Sequence, residues 1–167
     1  MKRIPVSMVL AVLLAVAGAA GLVRGAMSNS PAAADVAAAP EQPIVASGGY
    51  VREPANGVNA AAYFTLYNTT GTPDVLTGVD SGAGEQTTLH SDSRGGMRQI
   101  SGLSIPAHGS VSLRPGEGHV MIDKLYSPLE AGQSVNFRLT FAKAGQLLLT
   151  VPVIAIGAPA PTAEAPR

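Results

Sequence analysis

The chain has no cysteine and no tryptophan among its 167 residues, only three phenylalanines, and 13% charged residues. Without cysteine there can be no disulfide, zinc-thiolate site, iron–sulfur cluster or thiol redox couple, and no lipid can be attached through a cysteine. With 11 basic and 11 acidic residues the formal net charge is zero, so neither a nucleic-acid surface nor a polyacidic partner is indicated. The sequence has no nucleotide-binding glycine loop, no Ser-His-Asp arrangement in recognisable context and no paired carboxylates beside a histidine. An enzyme is therefore not expected. After the N-terminal leader no window keeps a 3.6-residue apolar period with caps, which argues against a helical domain.

The leader itself is informative. Lys2 and Arg3 precede an uncharged stretch from Ile4 to Val23 that is rich in Ala, Val and Leu, and Arg24 follows. A positive start and a long apolar run form an export signal, and a cut after Ala19 or Ala20 meets the small-residue rule. The run is also long enough to span a bilayer uncleaved. Residues 1–26 thus read as a signal peptide or a membrane anchor. Either way the folded part is expected to be periplasmic or otherwise extracytoplasmic, secreted or tethered to the inner membrane by residues 4–23. Residues 27–47 form an Ala/Pro-rich linker whose Pro31, Pro40 and Pro43 interrupt any helix. Residues 155–167, of similar composition, read as a disordered tail. A single domain over 48–154 remains, enough for one hydrophobic core.

That domain reads as strands. Ala62–Tyr67 alternates around β-favouring residues and stops at the turn cluster Asn68-Thr69-Thr70-Gly71. Further strands are predicted over 74–80, 86–91, 110–113, 118–122, 134–141 and 146–153, with Gly and Pro between them. At most a helical turn is allowed near Leu125 to Glu130. Val135, Phe137, Leu139 and Phe141 alternate with Asn136, Arg138 and Thr140, which predicts one buried and one wet face. Many short strands at this spacing predict an all-β, antiparallel β-sandwich, Ig-like or cupredoxin-like, in effect a small Greek-key barrel.

Against this background the methionines and histidines stand out. Of five methionines, Met1, Met8 and Met27 lie in or beside the leader; Met97 and Met121 remain for the domain. Met121 follows His119 by two positions, and on a strand residues i and i+2 share a face about 6.5–7 Å apart. His90 and Met97 flank Asp92-Ser93-Arg94-Gly95-Gly96; a hairpin turn centred on Ser93 and Arg94 would place 90 directly opposite 97. A single Met in a sandwich is ordinarily core filler, and a lone surface His, such as His108 in a Pro-Ala-His-Gly-Ser turn, is ordinarily solvated. The combination of His90, Met97, His119 and Met121 is harder to explain by packing. Imidazole with thioether, and no thiolate or carboxylate cluster, suits Cu(I). A blue-copper electron-transfer centre would also need a cysteine, so the site reads as one that holds and passes on copper.

The same residues resemble a family. Met97-x21-His119-x-Met121 is similar to the longer part of the signature of periplasmic Cu(I) chaperones of the PCuAC type. Asn59 to Asn68 resembles that family's A-A-Y-x-T-x-x-N strand, Thr88-Leu89-His90 its x-L-H, and Leu113 to Met121 its L-x-P-G-x-x-H-x-M. Leu139 to Gly145 resembles the closing L-T-F-x-x-x-G hairpin, and the likeness spans Gly49 to Val153. One feature departs: only six residues separate His90 from Met97, fewer than the family places there, and the additional Met of that loop is missing. The resemblance implies a cupredoxin-like, monomeric Cu(I) chaperone with metal ligands His90, Met97, His119 and Met121. It further implies a copper-accepting partner, either a cytochrome c oxidase subunit or a thiol-bearing co-chaperone, and transfer by stepwise ligand exchange. Two other readings stay open on sequence alone: a copper storage or resistance protein, and a metal-free β-sandwich assembly or adhesion module.

Overall fold

The computed structural model describes residues 42–92 and 96–166. The leader, most of the Ala/Pro-rich linker and the turn expected at Ser93 and Arg94 lie outside the described residues. Ten strands follow in order: β1 (Ile44–Arg52), β2 (Ala60–Asn68), β3 (Asp74–Ser81), β4 (Gly84–Ser91) and β5 (Arg98–Gln99). Then come β6 (Leu103–Ile105), β7 (Ser110–Leu113), β8 (Gly118–Leu125), β9 (Ser134–Phe141) and β10 (Gln146–Ile154). The all-β, cupredoxin-like expectation holds. The helical turn allowed near 125–130 does not form: β8 runs through Leu125, and irregular chain follows.

Pairing follows one path, β5-β4-β8-β2-β1-β10-β9-β3-β6, with β7 continuing beside β2. All pairs are antiparallel except β1 with β10, which is parallel and brief, joining Val51 to Val153 and Arg52 to Ile154. This is one correction to a purely antiparallel sheet. The path curls around a single core. Phe64, Leu66, Leu89, Val120 and Ile122 line it from the β4–β8–β2 side, and Leu76, Phe137, Leu139, Val151 and Val153 from the β10–β9–β3 side. The alternation expected for β9 is borne out, with Val135, Phe137, Leu139 and Phe141 buried.

β1 begins at Ile44, within the stretch expected as linker. Ile44 is 2% exposed, and burying such a side chain contributes about 1.5–3 kcal/mol, enough to pull the chain into the sheet earlier than its Pro-rich flank suggests. Gly48 and Gly49 interrupt β1 with a register shift against β2. Each makes room for a neighbour. A Cβ on Gly49 would lie 2.4 Å from Val151 Cγ1, and one on Gly48, at φ +63°, would lie 2.8 Å from the backbone of Ala163. Ala163 belongs to the segment expected to trail free. The described part of that segment instead contacts β1: Glu164 N donates to Ser47 Oγ at 2.9 Å, and Arg52 Nη1 donates to the carbonyls of Ala155 and Ala158.

The turn between β9 and β10 is tied to β3 by one carboxylate. Asp74, 5% exposed, accepts from the backbone N–H of Val75, Lys143 and Ala144 at 2.7, 3.0 and 2.8 Å. Burial alone would raise its pKa. The three N–H donors together with the Lys143 charge outweigh that and hold it below the ordinary value of 3.8. The folded chain therefore binds this proton less readily than the unfolded chain. The stabilisation is complete above the unfolded-state pKa and fades as pH falls through the lower folded-state value. Asp74→Ala is expected to lower unfolding stability at neutral pH by about 2–4 kcal/mol, because buried donors lose a charged acceptor. The gap from the unaltered protein should narrow in acid. Urea titrations at several pH values measure both; a pH-independent difference would show that the carboxylate's charge is not the cause.

Candidate metal centre

Leu89, Val120, Ile122 and Ala62 all point into the core. Alternation along each strand then sends His90, His119, Met121 and Tyr63 to the opposite face of the sheet. Register fixes how they meet there. β4 and β8 pair His90 with His119 and Thr88 with Met121. β2 and β8 pair Ala62 with Val120 and Ala61 with Met121, which brings Tyr63 to the next position, beside His119. Three of the four residues singled out by the sequence thus occupy adjoining sites on two hydrogen-bonded strands. Ala61 next to Met121 is small and leaves the thioether side open.

The two imidazoles lie flat against each other, with centroids 5.3 Å apart and planes 9° from parallel. His119 is 7% exposed, whereas His90 and Met121 are half-buried. His90 Nε2 lies 2.9 Å from Thr88 Oγ1, the residue two positions back on the same face. His90 Nδ1 is buried and has no hydrogen-bond partner among the described residues. In the tautomer whose Nε2–H donates to Thr88 Oγ1, Nδ1 presents a lone pair with no donor among the described residues to meet it. An unsatisfied buried nitrogen costs about 1–3 kcal/mol, and a bound cation would satisfy it. On the other ring, His119 Nδ1 faces Asp92 Oδ2 at 3.6 Å, an ion-pair distance longer than a hydrogen bond. Burial pushes the His119 pKa below the ordinary 6.5; Asp92 opposes this and His90 adds to it. The ring is therefore held neutral, the form that ligates metals.

Met97 is placed differently from expectation. β4 and β5 pair His90 with Gln99 and Ser91 with Arg98, so position 90 does not oppose position 97. The register is offset by two residues, which is even and so preserves the face. Met97 lies just before β5 and is 58% exposed. β4 ends at Ser91, and the next residue, Asp92, donates its N–H to Glu117 O at 3.0 Å, which ties it to the start of β8. His108 is a turn residue as expected, at φ 47° with its N–H bonded to Thr70 O, and takes no part in the cluster. Among the described residues no three His, Cys, Asp or Glu side chains group as a metal site.

Two residues of this neighbourhood escape sequence reasoning. Asp92 looks like one more polar residue of a turn, and only its parity with His90 hints that it faces the imidazoles. Tyr63 looks like a strand aromatic; its ring centroid is 6.2 Å from that of His119.

Comparison with known proteins places the fold. Residues 44–153 match the profile of the LpqE-like family, described as "Putative lipoprotein LpqE-like". A curated relative from Leifsonia xyli subsp. xyli, "Putative lipoprotein Lxx21020", is 29% identical over 77% of this chain and 80% of its own length. Among solved structures, the copper-bound PCuAC domain from PmoF2 superposes with a TM-score of 0.61 over 68% of this chain and 94% of that domain; at 24% identity it speaks to the fold. The solution structure of CuI-DR1885 from Deinococcus radiodurans is 29% identical, with a TM-score of 0.53 over 73% of this chain and 82% of that one.

The depressed affinity of His119 for protons is directly measurable. In an NMR titration of the metal-free protein, its ring is expected to protonate at lower pH than free imidazole, and Asp92→Asn should lower that midpoint further by removing the opposing charge. A midpoint that rises in Asp92→Asn would contradict the placement of the carboxylate.

Proposed function

Because the chain belongs to the LpqE-like family and carries the fold of PCuAC domains, we propose that it is an extracytoplasmic Cu(I)-binding protein that holds copper as cargo and hands it to an acceptor. The observation that carries the reading is the His90–His119 pair: two near-parallel imidazoles across β4 and β8, one with a buried nitrogen that has no partner among the described residues, with Met121 two positions from His119 on the same face. Cu(I) is soft and accepts thioether sulfur and imidazole nitrogen together. Zinc sites draw on thiolate, imidazole and carboxylate, and calcium or magnesium sites on oxygen clusters. This face of the sheet supplies imidazole and thioether.

In this reading His90, His119 and Met121 form the fixed part of the site, and Met97 closes it. The exposures set the order of events. His119 is nearly buried while Met97 is more than half exposed, so Met97 is the ligand an incoming donor group reaches first. Release proceeds by ligand exchange: an acceptor's thiolate or imidazole takes the place of Met97, then of Met121, and the histidines let go last. Neutral thioethers do not compete with protons, so the exchange needs no acid–base step at sulfur. In this reading the protein acts as a carrier. The acceptor proposed from the family likeness is the copper centre of cytochrome c oxidase, reached directly or through a thiol-bearing co-chaperone. Residues 1–26 would carry the domain across the membrane. The chain has no cysteine, so any tether would be the apolar run over 4–23.

Anaerobic titration with Cu(I) against a chromophoric chelator tests the reading. One Cu(I) per chain is expected. The His119→Ala/Met121→Ala variant should lose more affinity than the roughly 10–100-fold that removal of an outer-shell partner costs. Copper uptake that is the same in both proteins would overturn the site. Met97→Ala should weaken binding less than Met121→Ala while speeding transfer to the chelator in stopped-flow mixing; slower transfer would contradict the order of exchange.

A further inference from the structure

Four aromatic rings form one row across four neighbouring strands. His90 on β4 stands opposite His119 on β8, and Tyr63 on β2 stands opposite Tyr50 on β1. The centroid separations along the row are 5.3, 6.2 and 5.0 Å, with interplanar angles of 9°, 53° and 31°. All three spacings fall within the range at which aromatic rings attract one another. The row has a fixed end. The Arg52 guanidinium carbon sits 5.2 Å from the Tyr50 centroid, and Arg52 Nη1 donates to Ala155 O at 2.9 Å and Ala158 O at 2.7 Å. Two backbone carbonyls thus hold the cation over Tyr50, which is 5% exposed.

This arrangement bears on the orientation of His119. The second torsion of a histidine side chain is broad and poorly fixed by local sterics. The Asp92 carboxylate, 3.6 Å from Nδ1, is too distant to lock it as a hydrogen bond would. Packing must set the plane of the ring. His90 lies on the β4 side of His119 and Tyr63 on the β2 side, so the imidazole is held between two rings, and Tyr63 cannot withdraw because Tyr50 and Arg52 stand behind it. A tyrosine suits this task. Its ring is broad and rigid, with few torsions to freeze, and its β propensity fits the strand.

We propose that Tyr63 is a positioning residue of the copper site, holding the His119 imidazole against His90 in the arrangement from which both rings take Cu(I). The ring of Tyr63 does this, not its hydroxyl. The inference rests on the copper reading for its consequence, but the positioning itself is a property of the metal-free protein and is tested there.

The test compares Tyr63→Phe, which keeps the ring, with Tyr63→Leu, which keeps much of the apolar volume but no plane. Tyr63→Ile, suited to a strand, serves if the Leu variant does not fold. In the metal-free proteins, NMR should show His119 ring protons with unaltered ring-current shifts and contacts to His90 in the Phe variant. In the aliphatic variant the through-space contacts between the His119 and His90 ring protons should be lost while core amide signals stay in place. Cu(I) affinity should stay within about threefold for Phe and fall about 10–100-fold for Leu or Ile, the range of outer-shell losses. Unchanged His119–His90 ring contacts in the aliphatic variant would overturn the inference whatever copper does. So would a Phe variant that loses as much as Leu, because the hydroxyl would then be the acting group. If the unaltered protein binds no Cu(I), the copper reading fails, and the metal-free comparison still decides whether Tyr63 positions His119.

Discussion

The structure depends on the register between β4, β8 and β2. Because side chains alternate strictly along a strand, the pairing that puts Leu89, Val120, Ile122 and Ala62 into the core also puts His90, His119, Met121 and Tyr63 on the other face. A slip of one residue would exchange the two sets. It would expose three large aliphatic side chains, each stabilising by about 1.5–3 kcal/mol when buried. The loss, about 5–9 kcal/mol, rivals the entire net stability of an ordinary domain, about 5–15 kcal/mol. The hydrophobic core thus enforces the spacing of the histidines.

Much of this was legible in the sequence where one chain segment carries the whole signal. β7 and β9 have the bounds that alternation predicts, and the His119–Met121 spacing announces two side chains on one face. What was missed is nonlocal or short. β1 is broken by two glycines whose purpose is visible only once Val151 and Ala163 are seen pressing against them. β5 and β6, of two and three residues, are too short to show any period. The parallel β1–β10 contact joins opposite ends of the domain. The segment after Ile154 has the composition of a loose tail, and its contacts with Arg52 and Ser47 leave no trace in its own sequence.

The site shows the same division. His90 and His119 each sit in a strand with a readable pattern, and the sheet brings them face to face. The position of Met97 relied on an assumed turn, and the observed pairing of His90 with Gln99 moved it two residues along the hairpin. Asp92 and Tyr63 could not be weighted from sequence because their importance lies in what stands across the sheet from them. His119 is nearly buried whereas Met97 is more than half exposed, a contrast that neither residue type announces.

The central claim is that this face of the sheet binds Cu(I) through imidazole nitrogen and thioether sulfur together. Copper K-edge X-ray absorption on the protein loaded with one Cu(I) per chain tests it most directly. The account predicts a Cu(I) edge with both nitrogen and sulfur scatterers, and loss of the sulfur contribution when Met97 and Met121 are both replaced. A copper environment of nitrogen and oxygen alone, unchanged by those replacements, would contradict it.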